Sequence, residues 1–320
     1  MKIHKDIFHL PTFRNSVLTI GTFDGVHMGH RQILAQLKTE AERINGETVI
    51  LTFHPHPRKI IHTSQPPLYL INTIEEKIAL LEALNIDHLV IIPFDERFSQ
   101  ITADDYVEQF LVQKFHPHTI IIGYDHHFGQ GRTGNYLLLE EYSVKSNFRL
   151  IEISPHVIKE NAVSSTRIRQ SLMEGDITSA NGLLGYDYFF EGKVIEGNRL
   201  GRTLGYPTAN LEIKDNEKLI PAYGVYVVEA NLENEIRWKN SEIRTLKGMM
   251  NIGIRPTLSD GKFMIEINLF DFNEDIYGKT LRVYLKKYLR PELKFANLDE
   301  LKEQLDNDKK DTLQYFALYI

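Results

Sequence analysis

The period of the hydrophobic pattern changes near Gly185, and no single layered sheet accommodates both rhythms. Before it, strand-like apolar runs at 17–20, 48–53, 88–92, 119–123 and 148–153 alternate with helical patterns at 29–44, 73–84, 102–114 and 135–146. This alternation predicts right-handed crossovers, a parallel sheet with helices on both faces, and ligands at the carboxyl ends of the strands. Two short helical stretches across 164–184 are expected to close this domain, with Thr178 capping the second. After Gly185 the period is two: 188–195, 223–230, 246–252, 264–270 and 281–288 read as strands between Gly, Pro, Asn and Asp clusters. That rhythm predicts a small antiparallel β-barrel. A terminal helix with Leu298, Leu301 and Leu305 on one stripe, and Phe316 following, is expected to cover one side or mouth of it. The expected domains are thus 1–185 and 186–320. A polar stretch around Trp238 reads as an exposed hairpin excursion.

Composition narrows the chemistry. With no cysteine among 320 residues, a disulfide framework, a thiolate zinc site, an iron–sulfur cluster and a cysteine nucleophile are excluded. A net charge of -6 argues against nucleic acid or an acidic membrane as partner. The start of the chain leads into no apolar leader, and no run approaches the ~18 apolar residues of a membrane span, so it reads as cytoplasmic. All 13 histidines lie at or before His156, so chemistry in the second half proceeds without imidazole.

The run Gly21-Thr22-Phe23-Asp24-Gly25-Val26-His27-Met28-Gly29-His30 joins the first strand to the first helix. Its glycines allow backbone amides to approach an anion, and His27 and His30, three apart, share one helix face at the positive N-terminus. It is neither a Walker loop nor a dinucleotide fingerprint. Taken alone, such histidines are also compatible with capping. Metal ligation is a further alternative, since His27, His30, His54, His56, His126 and His127 could supply imidazoles. The extended His54-Pro55-His56-Pro57 is too rigid to place both of its rings on one ion easily.

This run matches the GxFDGxHxGH signature of adenylyl- and cytidylyltransferases. The chain resembles, more specifically, the prokaryotic bifunctional riboflavin kinase/FMN adenylyltransferases. Supporting segments are Thr52–Pro57, the loop Gly123-Tyr124-Asp125-His126-His127-Phe128-Gly129, and Ser164-Ser165-Thr166-Arg167-Ile168-Arg169, similar to the family's SSTxIR motif. The resemblance implies a Rossmann-like nucleotidyltransferase domain in which Gly21, Phe23, Asp24, Gly25, His27, His30, Asp125, Ser164, Ser165, Thr166 and Arg167 bind ATP and its phosphates. His27 and His30 are expected to act catalytically by stabilising charge. His127 stands where relatives often have a basic residue, and Asp125 where some have asparagine.

In the second half, the run from Gly197 to Asn210 is glycine-rich, carries Arg199 and Arg202, and ends in Pro207-Thr208-Ala209-Asn210. Spaced glycines free amides for phosphate, while Thr208 and Asn210, two apart in an extended segment, offer oxygens suited to magnesium. The run matches the PTAN motif of riboflavin kinases. The resemblance implies a flavin and ATP site with Gly201, Arg202, Gly205, Pro207, Thr208, Asn210 and Arg290, and Mg2+ on Thr208 and Asn210. In 264–270, alternation places Ile265, Ile267 and Leu269 on one face and Glu266 and Asn268 on the other, a pattern a solvated strand face also produces. By the resemblance, Glu266 is the catalytic base that deprotonates a neutral hydroxyl. Many relatives carry histidine where this chain has Asn268, so a role for that histidine does not carry over. The expected substrates and products are riboflavin, FMN, FAD and ATP. Two other readings remain: a nucleotidyltransferase for another phosphorylated acceptor with a regulatory flavin-binding barrel, and a flavin or nucleotide sensor without catalysis.

Overall fold

The computed structural model describes residues 1–61, 67–153, 163–197, 200–232, 244–254 and 263–318. The hairpin expected around Trp238 lies outside these residues. The chain forms two compact units, Met1–Ser165 and Thr166–Ile320.

In the first unit, strands β1 (Lys2–His4), β2 (Val17–Ile20), β3 (Thr48–His54), β4 (His88–Pro93), β5 (Thr119–Gly123) and β6 (Arg149–Ile153) form one sheet in the order β1-β4-β3-β2-β5-β6. Every pair is parallel. The strand interiors are buried on both faces: Leu18, Val49 and Ile120 enter one apolar cluster, and Val17, Ile50 and Ile121 the other. Each such side chain contributes about 1.5–3 kcal/mol on burial. The longer helices are α1 (Met28–Arg43), α2 (Ile74–Ala83), α3 (103–115) and α4 (Tyr136–Lys145). Residue choice at their ends fixes where they start: Thr73 and Glu76 form a capping box on α2, and Asn135 caps α4. Two features depart from expectation. The edge strand β1 has too short a pattern to read from sequence and exists through its pairing with β4. Helix α3 is π-helical from Tyr106 to Val112.

In the second unit, β7 (Phe189–Ile195), β8 (Ala209–Glu212), β9 (Gly224–Leu232), β10 (Leu246–Ile254), β11 (Phe263–Leu269) and β12 (Thr280–Arg290) close an antiparallel barrel in the order β10-β11-β8-β7-β12-β9. Helices α5 (Ser165–Met173) and α6 (Ile177–Leu184), expected to close the first domain, are tied to the barrel. The Ala222 N–H donates to the Leu172 carbonyl, and Asn181 donates to Leu285 O and Asp187 while accepting from the Tyr188 N–H. The cap of α6 is Asp176, which accepts from the Ser179 N–H at 3.1 Å, and not Thr178. Gly175, at φ 79°, ends the preceding turn and so sets the cap one residue later.

The terminal helix α7 (Leu298–Leu318) contacts β9 and β10 along the expected stripe, with Leu301 and Leu305 half-buried, but the full burial lies further toward its C-terminal end. Leu298 is 53% exposed, and the buried positions are Asp308, Thr312 and Phe316, four apart. A carboxylate is tolerated there because Arg290 grips it with two nitrogens, at 2.8 and 2.6 Å.

Candidate active sites

The first site is built where β2 ends. Gly25 lies at φ 92°, and two side-chain-bearing residues share the left-handed region, Phe23 at φ 47° and Val26 at φ 38°. For a β-branched residue such as Val26 this is strain, of a kind that collects at functional turns. The turn delivers His27 to the N-cap of α1, where its Nδ1 accepts the His30 N–H at 3.3 Å. The two imidazoles stack at 3.6 Å between centroids, 14° from parallel, and Phe23 packs on His30 at 5.1 Å. His30 Nδ1 is shielded from solvent and has no hydrogen-bond partner among the described residues. Burial, with the charges of His27 and Lys77, holds His30 well below the usual histidine range. It is therefore a neutral imidazole near pH 7, and its contribution to an anion is an N–H dipole rather than a full charge.

Asp24 faces inward. Its carboxylate accepts the Ile71 N–H at 3.0 Å and the Asn72 N–H at 3.4 Å, and its carbonyl accepts the Ser165 hydroxyl at 2.9 Å. It braces the turn, and Ser165 is brought onto the motif across 141 residues of sequence. Gly29 leaves room for the His27 imidazole: a Cβ there would lie 3.3 Å from its ring, and at an ordinary 3.8 Å from the Val163 carbonyl. Ser164 is exposed beside it, and Thr166 and Arg167, also exposed, open the second compact unit.

The loop after β5 opens at the same carboxyl edge of the sheet, because β5 pairs with β2. Asp125 is exposed, and its carbonyl is 2.9 Å from Nδ1 of His127. The neighbouring His126 is half-buried, with its Nε2 shielded from solvent. Its Nε2 has no partner among the described residues, and burial lowers its pKa to about 4. His54 is exposed, and His56 Nδ1 accepts the Arg58 N–H at 3.2 Å. Among the described residues no three His, Asp or Glu side chains gather as a metal cluster.

The second site lies on the barrel. Glu266 on β11 pairs with Asn210 on β8 and with Asn251 on β10, so the three side chains share one face across adjacent strands. Glu266 is half-buried, while Ile265 and Ile267 fill the core, as the alternation predicts. Asn210 is buried, and its Oδ1 has no partner among the described residues. Gly197 makes room for that amide: a Cβ there would lie 2.0 Å from Asn210 Nδ2.

The loop before β8 is folded back on itself. Tyr206 N–H donates to the Gly201 carbonyl at 2.8 Å, and a Cβ on Gly201 would lie 2.2 Å from the Tyr206 carbonyl and 3.4 Å from Thr208 Oγ1. Gly205 turns the chain at φ 85°, and Arg202 is exposed. Two anchors hold the segment. The Tyr206 hydroxyl donates to Asp306 of α7, and Asn268 donates to the Pro207 carbonyl at 2.7 Å. Asn268 thus acts on the loop through its backbone. Arg290, expected at the flavin or ATP site, forks onto Asp308 and donates its remaining nitrogen to the Pro291 carbonyl at 3.0 Å. Arg199 and Arg255–Thr257 lie outside the described residues. Sequence reasoning missed Lys77, which stands under the first turn on α2, because nothing in a helical pattern marks one inward lysine.

A parallel-sheet unit with a histidine-capped helix, followed along the chain by a barrel carrying a carboxylate–amide pair, defines a two-site phosphorus-group transferase. The FAD synthetase family model matches residues 10–167, and the riboflavin kinase model matches 184–316. The bifunctional riboflavin kinase/FMN adenylyltransferase of Escherichia coli K12 is 35% identical over 94% of this chain and 93% of its own length. That of Buchnera aphidicola subsp. Schizaphis graminum is 37% identical over 99% and 100%, and that of Bacillus subtilis 33% over 94% and 93%. A crystal structure from Streptococcus pneumoniae, described as a macrolide-efflux protein, superposes with a TM-score of 0.84 at 29% identity over 97% of this chain and 98% of that one. In this chain, no described helix is long and apolar enough to cross a membrane. The chain belongs to the bifunctional riboflavin kinase/FMN adenylyltransferase family.

Proposed function

We propose that this chain phosphorylates riboflavin to FMN on the barrel and adenylylates FMN to FAD in the parallel-sheet unit, with ATP as donor in both steps. The observation that carries the reading is the position of Glu266 directly across from Asn210, whose buried side-chain oxygen has no partner among the described residues. The acceptor in the first step is a neutral ribityl hydroxyl, so a base is useful there. Glu266 takes the hydroxyl proton as the oxygen bonds to the γ-phosphorus and the bond to ADP breaks. The oxygen donors of Asn210 and Thr208 fit Mg2+, which would neutralise charge on the ATP phosphates. A binder alone requires no such base, which favours catalysis over the regulatory-barrel and sensor readings.

In the second step an FMN phosphate oxygen attacks the α-phosphorus of ATP and pyrophosphate leaves. The nucleophile is already an anion, so the protein's task is orientation and charge stabilisation. The α1 N-terminus and the imidazoles of His27 and His30 supply dipoles for it. Thr166 and Arg167 are proposed to complete the phosphate contacts, Asp125 to contact the nucleotide, and Arg202 the kinase substrates. The functional boundary is proposed at 185/186, supported by the change of period there, and the protein is proposed to be cytoplasmic. Incubating the chain with riboflavin, ATP and magnesium and separating the flavins chromatographically tests the reading: FMN and FAD both form. FMN without FAD overturns the adenylyltransferase half, and neither product overturns the kinase half.

A further inference from the structure

Lys77 belongs to neither motif, yet it is buried beneath the strained turn. Its ammonium donates to the Thr22 carbonyl at 2.7 Å, and Thr52 Oγ1 from β3 donates to the same oxygen at 3.2 Å. The lead-in to the same helix grips the turn a second time, through the Ile71 and Asn72 N–H groups on Asp24. Left-handed conformations such as those of Phe23 and Val26 persist only where the surroundings over-determine them, and these bonds are that surrounding. They also set a direction. In a trans peptide the N–H points opposite to the C=O, so drawing the Thr22 carbonyl toward Lys77 turns the Phe23 N–H away from it.

We propose that Lys77 is a positioning residue for adenylyl transfer: by holding the Thr22 carbonyl, its ammonium fixes the Thr22–Phe23 peptide plane and with it the turn that presents His27 and His30 to an anionic phosphate. The proposal rests on the adenylyltransferase reading above. The charged and titratable groups facing Lys77 are Asp24 in the turn, which supports its charge, and His30 on α1; Thr52 on β3 is uncharged. Burial lowers Lys77 to about 8, so the holding charge is lost at mildly alkaline pH.

The test uses the full-length chain and follows FMN-to-FAD conversion against pH in wild type, Lys77→Met and Lys77→Arg, with riboflavin phosphorylation by the same preparations as internal control. Lys77→Met is expected to lower kcat/KM for ATP in FAD formation by roughly 10²-fold, the scale of a misplaced site, with FMN formation unchanged. Lys77→Arg is expected to recover most of the activity and to remove the wild type's decline above about pH 8. FAD formation by Lys77→Met at the wild-type level overturns the role, as does an arginine variant no better than the methionine one. If Lys77→Met does not fold, the comparison of wild type with Lys77→Arg decides: identical alkaline limbs overturn the proposal. A wild type that makes FMN but no FAD overturns the adenylyltransferase reading itself.

Discussion

Glu266 on β11 stands directly opposite Asn210 on β8, so the ladder register alone sets a carboxylate beside a buried amide. The two come from segments 56 residues apart in sequence, and strand pairing removes that separation. A one-residue slip would send one of them into the apolar interior, so the barrel's packing enforces the pairing.

Glu266→Gln keeps shape and hydrogen-bonding capacity but removes the base. FMN formation is expected to fall by at least ~10²-fold, while conversion of supplied FMN to FAD stays nearly intact. Initial rates of both reactions on one preparation provide the check, and undiminished kinase activity would rule out the assignment.

His30→Ala is expected to do the reverse. Loss of one preorganised donor to developing charge typically costs ~10²–10³-fold in turnover. Because His30 is held neutral, wild-type FAD formation should show no loss as pH rises through the ordinary histidine range near 6.5. A defect confined to KM, or one reproduced by chelating zinc, would remove the role.

Asn268→Ala releases the Pro207 carbonyl from its 2.7 Å donor and loosens the segment that bears Thr208 and Asn210. A neutral hydrogen bond is worth about 0.5–1.5 kcal/mol, so kinase activity should drop by no more than about tenfold. The magnesium concentration for half-maximal FMN formation should rise. An unchanged magnesium titration would show that the anchor does not reach the metal-binding oxygens.

Arg290→Met strands Asp308, whose side chain is 3% exposed, without its partner. Removing one member of a buried pair costs about 3–5 kcal/mol, whereas replacing both by apolar groups is often near neutral. Urea denaturation followed by barrel tyrosine fluorescence should therefore show a large loss for Arg290→Met and a smaller one for Arg290→Met with Asp308→Leu. Equal losses would place Arg290's value elsewhere, including on substrate.

Residues 186–320 expressed alone are expected to make FMN and never FAD, but with less stability than residues 166–320. The longer fragment keeps α5 and α6, and with them the Leu172–Ala222 and Asn181–Leu285 bonds. Melting curves of the two fragments give the comparison. A folded 186–320 fragment without kinase activity would mean that the first domain completes the second site.

The local chemistry of this protein is legible in its sequence because it depends on spacing. Period distinguishes the parallel sheet from the barrel, and the first motif places turn glycines and two histidines at a helix start. Alternation alone separates Glu266 from Ile265 and Ile267. Tertiary structure decided what depends on distant partners. Asp24 turned inward to two backbone amides, Arg290 went to Asp308, and full burial on the stripe of α7 fell at Asp308, Thr312 and Phe316 rather than at its leucines. Helices α5 and α6 were tied to the barrel, and Lys77 came to lie beneath the turn. A sequence pattern reports which face of an element is apolar. It carries no record of which buried polar group will meet which, since each such meeting depends on desolvation that exists only once the chain has closed around it.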